Sequence, residues 1–151
     1  MNQASSAADC APDATPALSD ADYETLAAFR HVLRGFLHFS EGAAHSVGLT
    51  PQQHQALLAV RAAPSATLSV GELADRLMLK PHSTTELVNR LVQAGLLRRQ
   101  SGGEDGRRVL LVLTVHAEAR LRALSAAHRD ELLRIRPMLT ALLDGLDPPE
   151  V

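Results

Sequence analysis

Residues 68–114 read LSVGELADRLMLKPHSTTELVNRLVQAGLLRRQSGGEDGRRVLLVLT, and the order of signals in this stretch decides the fold. Ser69-Val70-Gly71-Glu72 sets a hydroxyl where it can accept from a free helical N–H and, three residues on, a carboxylate that can reach back, the two halves of a capping box. Leu73, Ala74 and Leu77 follow at helical spacing, which predicts a helix of about two turns. After a turn at Leu79 and Lys80, either Pro81 or Ser83 can open the next helix. Ser83-Thr84-Thr85-Glu86 is itself a capping box, and Leu87, Val88, Leu91 and Val92 form the apolar face. Gly95 closes this helix as a left-handed cap. Residues 96–100 and 109–114 are arms rich in Leu and Val that flank Ser101-Gly102-Gly103-Glu104-Asp105-Gly106, the pattern of a β-hairpin.

Upstream, Thr50-Pro51-Gln52-Gln53 supplies a cap, a proline at the first helical position and a capping-box glutamine, so a helix is expected over about 51–62. Ala63-Pro64-Ser65-Ala66 breaks it. Before it, Leu18, Ser19 and Asp22 read as hydrophobic staple, N-cap and acidic first turn of a helix to about residue 47, with Leu26, Phe29, Leu33, Phe36 and Leu37 recurring at helical spacing and Gly48 ending it. Downstream, Thr114 caps a long helix to about Arg136, and Pro137 begins a short final one ending near Gly145. Residues 1–17 are mostly Ala, Ser, Pro and Asp, too little apolar surface to offset the entropy of ordering them, and are expected to form a disordered tail. The fold class is therefore mainly α with a small β-hairpin wing: one domain over 18–147, with a winged helix-turn-helix at about 49–114 between outer helices at about 19–47 and 115–147.

In a winged helix-turn-helix the second helix enters the major groove of DNA and the hairpin lies over the adjacent backbone. That use needs a helix with small, polar residues on its outer face. His82, Ser83, Thr84, Thr85, Glu86, Asn89 and Gln93 form such a set, and Lys80 beside the helix N-terminus suits a phosphate. The hairpin tip joins Asp105 to Arg107 and Arg108, guanidinium groups that can reach phosphates or a narrow minor groove. The net charge of −2 neither announces nor excludes nucleic acid. Its distribution is more telling: Arg76, Lys80, Arg90, Arg98, Arg99, Arg107 and Arg108 are opposed within that span only by Glu86, Glu104 and Asp105.

The remaining bulk properties narrow the alternatives. A chain of 151 residues suffices for one packed core, and 46% hydrophobic against 21% charged residues is an ordinary globular balance. The single cysteine, Cys10, cannot form an intrachain disulfide. No apolar run is long enough for a membrane span, and the start lacks a basic region followed by an apolar run, so cytoplasmic residence is expected. No nucleophile with a base, paired carboxylates, phosphate loop or zinc-hydrolase motif is evident, which argues against an enzyme. A winged helix used only for protein contacts stays open as an alternative.

Within this frame the sequence resembles the MarR family of bacterial regulators. The likeness runs from about Ser19 to Leu146 and is sharpest in Ser69-Val70-Gly71-Glu72-Leu73-Ala74, Leu87-Val88-Asn89-Arg90-Leu91, Gly95-Leu96-Leu97 and Asp105-Gly106-Arg107-Arg108-Val109. The resemblance implies a homodimer joined through the first and C-terminal helices, binding a pseudo-palindromic double-stranded operator and usually repressing. It places Ser83, Thr84, Thr85 and Glu86 where the family contacts bases and Arg107 on the wing arginine. Asn89 stands where the family usually has Asp. Glu86 directs a negative charge toward DNA, where it can accept from a cytosine amino group or serve as a helix cap, and the cap is favoured.

His31, Gly35, His38, Gly42 and His45 share one face of the first helix, and interior glycines that each cost about 0.5–1 kcal/mol relative to alanine suggest that something approaches this face closely. The resemblance puts effectors between the dimer helices and the DNA-binding lobe, so His38, His45 and His54 are candidate walls of a small-molecule pocket, with no cofactor required. A zinc-responsive regulator is a further alternative: His38, Glu41 and His45 have helical spacings that can converge on a metal, completed by His116 or Glu118. Histidines on an exposed helix are more often spectators of either chemistry. Cys10 invites comparison with thiol-based peroxide sensors of the same family, but its setting beside Asp9 in the tail reads as an unremarkable exposed thiol.

Overall fold

The computed structural model describes residues 18–102 and 108–146. The expected tail and the hairpin tip, with Cys10, Asp105 and Arg107, lie outside the described residues. Helix α1 (Asp20–Ser46) starts at Ser19, whose hydroxyl accepts from the Asp22 N–H while the Asp22 carboxylate takes the Ser19 N–H at 2.8 Å. Those bonds hold the Asp22 carboxyl below its ordinary range. Helix α2 (Pro51–Arg61) carries the same device in Thr50 and Gln53. A 3-10 turn, Pro64–Ala66, reverses the chain through Ser65 and Ala66, both left-handed at φ 56 and 52. Helix α3 (Val70–Leu77) is capped by Ser69 and Glu72. Helix α4 (Pro81–Gln93), strands β1 (Leu97–Gly102) and β2 (Arg108–Leu113), and helix α5 (Val115–Asp144) complete the chain.

One open alternative is resolved, in favour of Pro81, and one expectation is corrected. Lys80, not Ser83, is the N-cap of α4: Pro81 has the pre-set φ and missing N–H that suit the first helical position, so the helix starts ahead of the Ser83–Glu86 pair and no capping box forms there. Pro137 does not begin a new helix. It lies inside α5, where Leu, Ala and Arg on both sides favour the helix and Ile135 is buried, so the chain stays helical past the one hydrogen bond that proline cannot donate.

The core lies in the winged lobe. Leu57 and Val60 of α2, Leu73 of α3, Leu87, Val88 and Leu91 of α4, Leu97 and Leu111 of the hairpin and Leu121 of α5 interlock there, all at most 3% exposed. The hairpin is antiparallel with Leu97 opposite Leu113 and Gly102 opposite Arg108. Leu68, just ahead of the α3 cap, exchanges both backbone hydrogen bonds with Leu111, at 2.7 and 3.4 Å, and so ties the start of α3 to β2.

The outer helices are poorly covered. Of its 27 residues α1 buries only Val32 and Ala44, whereas Tyr23, Leu26, Leu33 and Leu37 are exposed; on α5, Leu132, Leu133, Met138 and Leu143 are likewise exposed. The two helices pack on each other but still present apolar surface to solvent.

Thr114 joins this outer layer to the lobe. Its hydroxyl donates to the Gly95 carbonyl at 2.7 Å and accepts from the Ala117 N–H at 3.2 Å, and its own N–H donates to the Leu96 carbonyl. Gly95 sits at φ +67, the left-handed turn that ends α4 and brings its carbonyl round to Thr114. Thr114→Ala removes a cap and the side-chain bond to that carbonyl, so thermal unfolding should show a loss of about 1 kcal/mol.

Candidate nucleic-acid interface

Helix α4 divides cleanly into two faces. Thr84, Leu87, Val88 and Leu91 are buried, at spacings of three, four and seven residues, while His82, Ser83, Thr85, Glu86, Asn89 and Gln93 are exposed. Thr84 therefore leaves the expected outward set: it is 0% exposed, and its hydroxyl donates to the Lys80 carbonyl at 3.2 Å. The reason is its register with the leucine stripe, which overrides the polarity of one hydroxyl that a helical carbonyl can satisfy. Thr85 also donates to a carbonyl one turn back, Pro81 O at 3.0 Å, but remains on the surface. Glu86 is no cap; its carboxylate lies 3.3 Å from His82 Nε2 one turn earlier. Lys80 is exposed at the mouth of the helix N-terminus, where the first N–H groups of α4 also point.

Sequence reasoning missed a residue beside this face. Arg99 of β1 donates from Nη2 to the Asn89 side-chain carbonyl at 2.7 Å, which steadies a guanidinium between the outward face of α4 and the wing. A neutral amide positions the guanidinium without neutralising it, as a carboxylate at position 89 would. Arg108, at the root of the wing, is committed differently, donating to Glu72 at 2.8 Å. Glu72 at the same time caps α3 through the Ser69 N–H and hydroxyl, each at 2.8 Å, and these bonds, more than Arg108, hold its carboxyl below its ordinary range. With the carboxylate value depressed, this cap is complete at neutral pH and is lost as the pH falls through the folded value.

Residues 47–108 match the model of the MarR family. That match takes in α2, α3, α4 and β1, the elements of the winged lobe that carry the outward face of α4. Solved structures share its fold. AbsC of Streptomyces coelicolor, a MarR family transcriptional regulator, is 23% identical over 89% of this chain and 86% of its own, with a TM-score of 0.66. RV1404 of Mycobacterium tuberculosis is 23% identical over 87% and 92%, with a TM-score of 0.68. A MepR variant of S. aureus, bound to an oligodeoxyribonucleotide, is 19% identical over 83% and 98%, with a TM-score of 0.64. Among curated proteins none matches the sequence at a significant level.

The three candidate effector-binding histidines are not brought together. His38 and His45 are exposed, and His45 Nδ1 only contacts the Glu41 carbonyl of its own helix at 2.8 Å. A Cβ at Gly35 or Gly42 would meet nothing within 4 Å, so within the described residues nothing crowds this face. Among the described residues no three His, Cys, Asp or Glu side chains gather to hold a metal ion, the His38, Glu41, His45 and His116 set included: a helical spacing aligns side chains but brings no donor from a second helix. His54, by contrast, is 4% exposed and lines a cavity of about 570 Å³ with Phe36, Leu58, His128, Arg129 and Leu132 among its walls. The cavity lies where α1, α2 and α5 meet, and His128 of α5 is the member that sequence reading did not single out.

Proposed function

We propose that this chain is a sequence-specific, double-stranded DNA-binding transcriptional regulator, acting in the cytoplasm as a homodimeric, ligand-responsive repressor. The observation that carries the reading is the face of α4: six exposed residues able to read base edges or phosphates, backed by a buried seam that holds the helix rigid, with Lys80 and the Asn89-held Arg99 beside it. The match of residues 47–108 to the MarR family model and a DNA-bound neighbour of the same fold support it. The unpartnered apolar faces of α1 and α5 support the homodimer, because burying Leu26, Leu33, Leu37 and Met138 against a second copy offsets an exposure that a monomer would bear. Two α4 helices then sit about one DNA turn, roughly 34 Å, apart on a pseudo-palindromic operator. The cavity between α1, α2 and α5 is the effector site in this reading, since it lies between the outer helices and the winged lobe and has a size ordinary for small-molecule sites.

Genomic footprint sequencing with the purified protein at two salt concentrations tests the proposal. A regulator that neutralises several phosphates should lose about a thousandfold or more in affinity between roughly 50 and 200 mM salt, and its sites should be two-fold symmetric. No enrichment at either salt would move the assignment to a winged helix that contacts only protein. Arg99→Gln should weaken binding to all sequences alike and lower the salt slope by about one.

A further inference from the structure

Resting on the reading of the α1–α2–α5 cavity as the effector site, we propose that the His54–His128 pair couples occupancy of this cavity by a lipophilic anion to the uptake of a proton. The two rings lie 4.7 Å apart, centre to centre. From α1, Phe36 and Phe39 meet the His128 ring edge-on at 5.8 and 5.6 Å, and the Ser40 hydroxyl lies 2.7 Å from His128 Nε2. From α5, Ser125, Arg129 and Arg136 line the same space; from α2, Leu58 does. None of these groups is acidic, and no Asp or Glu is among the cavity's described walls. Apolar walls with two guanidinium groups and two imidazoles therefore select an apolar molecule that carries negative charge.

The hydrogen bonds allow His128 to hold a proton in place. Its Nδ1 lies 2.7 Å from the Leu124 carbonyl, which only accepts, so Nδ1 carries the hydrogen of the neutral ring. Nε2 then accepts from the Ser40 hydroxyl. On protonation it donates instead, and the hydroxyl, which is both donor and acceptor, reverses without a change of partner. Burial first, and then the charge of His128, hold His54 below the ordinary histidine range. For a base depressed in this way, stability is complete above its unfolded value and is lost as the pH falls through the folded one. An anion in the cavity supplies a counter-charge to the pair and raises the proton affinity of His54, so by linkage a falling pH tightens the anion.

Two fluorescent probes of similar shape separate the charge from the cavity: anilinonaphthalene sulfonate, whose sulfonate stays ionised throughout, and uncharged phenylnaphthylamine. Between about pH 8 and about pH 6 the sulfonate should bind on the order of tenfold more tightly while the uncharged probe does not change. His54→Gln should flatten the sulfonate profile and leave the uncharged probe bound. Calorimetry of the unmodified protein with the sulfonate, in two buffers of different ionisation enthalpy near pH 7, should show net proton uptake and requires no variant to fold. Identical profiles for both probes, or no proton uptake, overturn the coupling and leave the cavity reading standing. Leu58→Trp, which fills the cavity, should abolish both probes; binding that persists in it, or no binding of either probe to the unmodified protein, overturns the cavity reading itself.

Discussion

Thr84→Glu should unfold the winged lobe at temperatures that the unmodified protein survives, with a loss of at least about 3 kcal/mol and a fall of roughly 10 °C in the midpoint of thermal unfolding. Position 84 is fully enclosed in the row with Leu87, Val88 and Leu91, and its hydroxyl is already bound to the Lys80 carbonyl. A carboxylate there has no cationic partner in the seam. It must stay protonated at a cost, push α4 away from α3, or leave the core uncovered. Circular dichroism with heating reads the change directly, and a variant as stable as the unmodified protein would contradict the placement of Thr84.

One residue on, the same substitution has the opposite signature. Thr85→Glu should weaken binding to an operator fragment by more than about a hundredfold at moderate salt, because a second carboxylate beside Glu86 on the outward face of α4 meets the phosphates with like charge, which costs several kcal/mol. Its unfolding curve should stay close to that of the unmodified protein, since the side chain is exposed and its only hydrogen bond runs to the Pro81 carbonyl one turn away. Fluorescence anisotropy with labelled DNA measures the first effect. Undiminished binding by Thr85→Glu would remove α4 from the DNA interface.

That neighbouring threonines behave so differently shows where sequence reading succeeds and where it stops. The starts of α1, α2 and α3 were legible because each is set by a reciprocal bond within four residues, Ser19 with Asp22, Thr50 with Gln53 and Ser69 with Glu72, and no distant group competes. At α4 two local signals overlapped, and the proline at the first helical position prevailed over a serine box that would have started the helix later. Thr84 was legible in principle: its spacing to Leu87, Val88 and Leu91 marks the inward face, and only its polarity pointed outward. The contacts that build the proposed sites are of another kind. Asn89 reaches Arg99 across a helix–strand junction, and His54 meets His128 across 74 residues of chain. Such pairs depend on how elements pack, which no local pattern encodes. The regular spacing of histidines on α1 was in turn a local pattern that packing did not use for this cavity, since His38 and His45 are exposed and are not among its walls.

The bonds of Thr114 make a stiff lever of α5. The turn that closes α4 and the first turn of α5 are riveted together by the Gly95 and Leu96 carbonyls, so the two helices have no slack joint between them. A helix of 30 residues is roughly 45 Å long, and a tilt of about 5° about its root carries its far end through roughly 4 Å. Run in reverse, a few ångströms of displacement where the far half of α5 meets its surroundings returns to α4 as a small rotation, a change of angle that a rigid DNA groove registers at once.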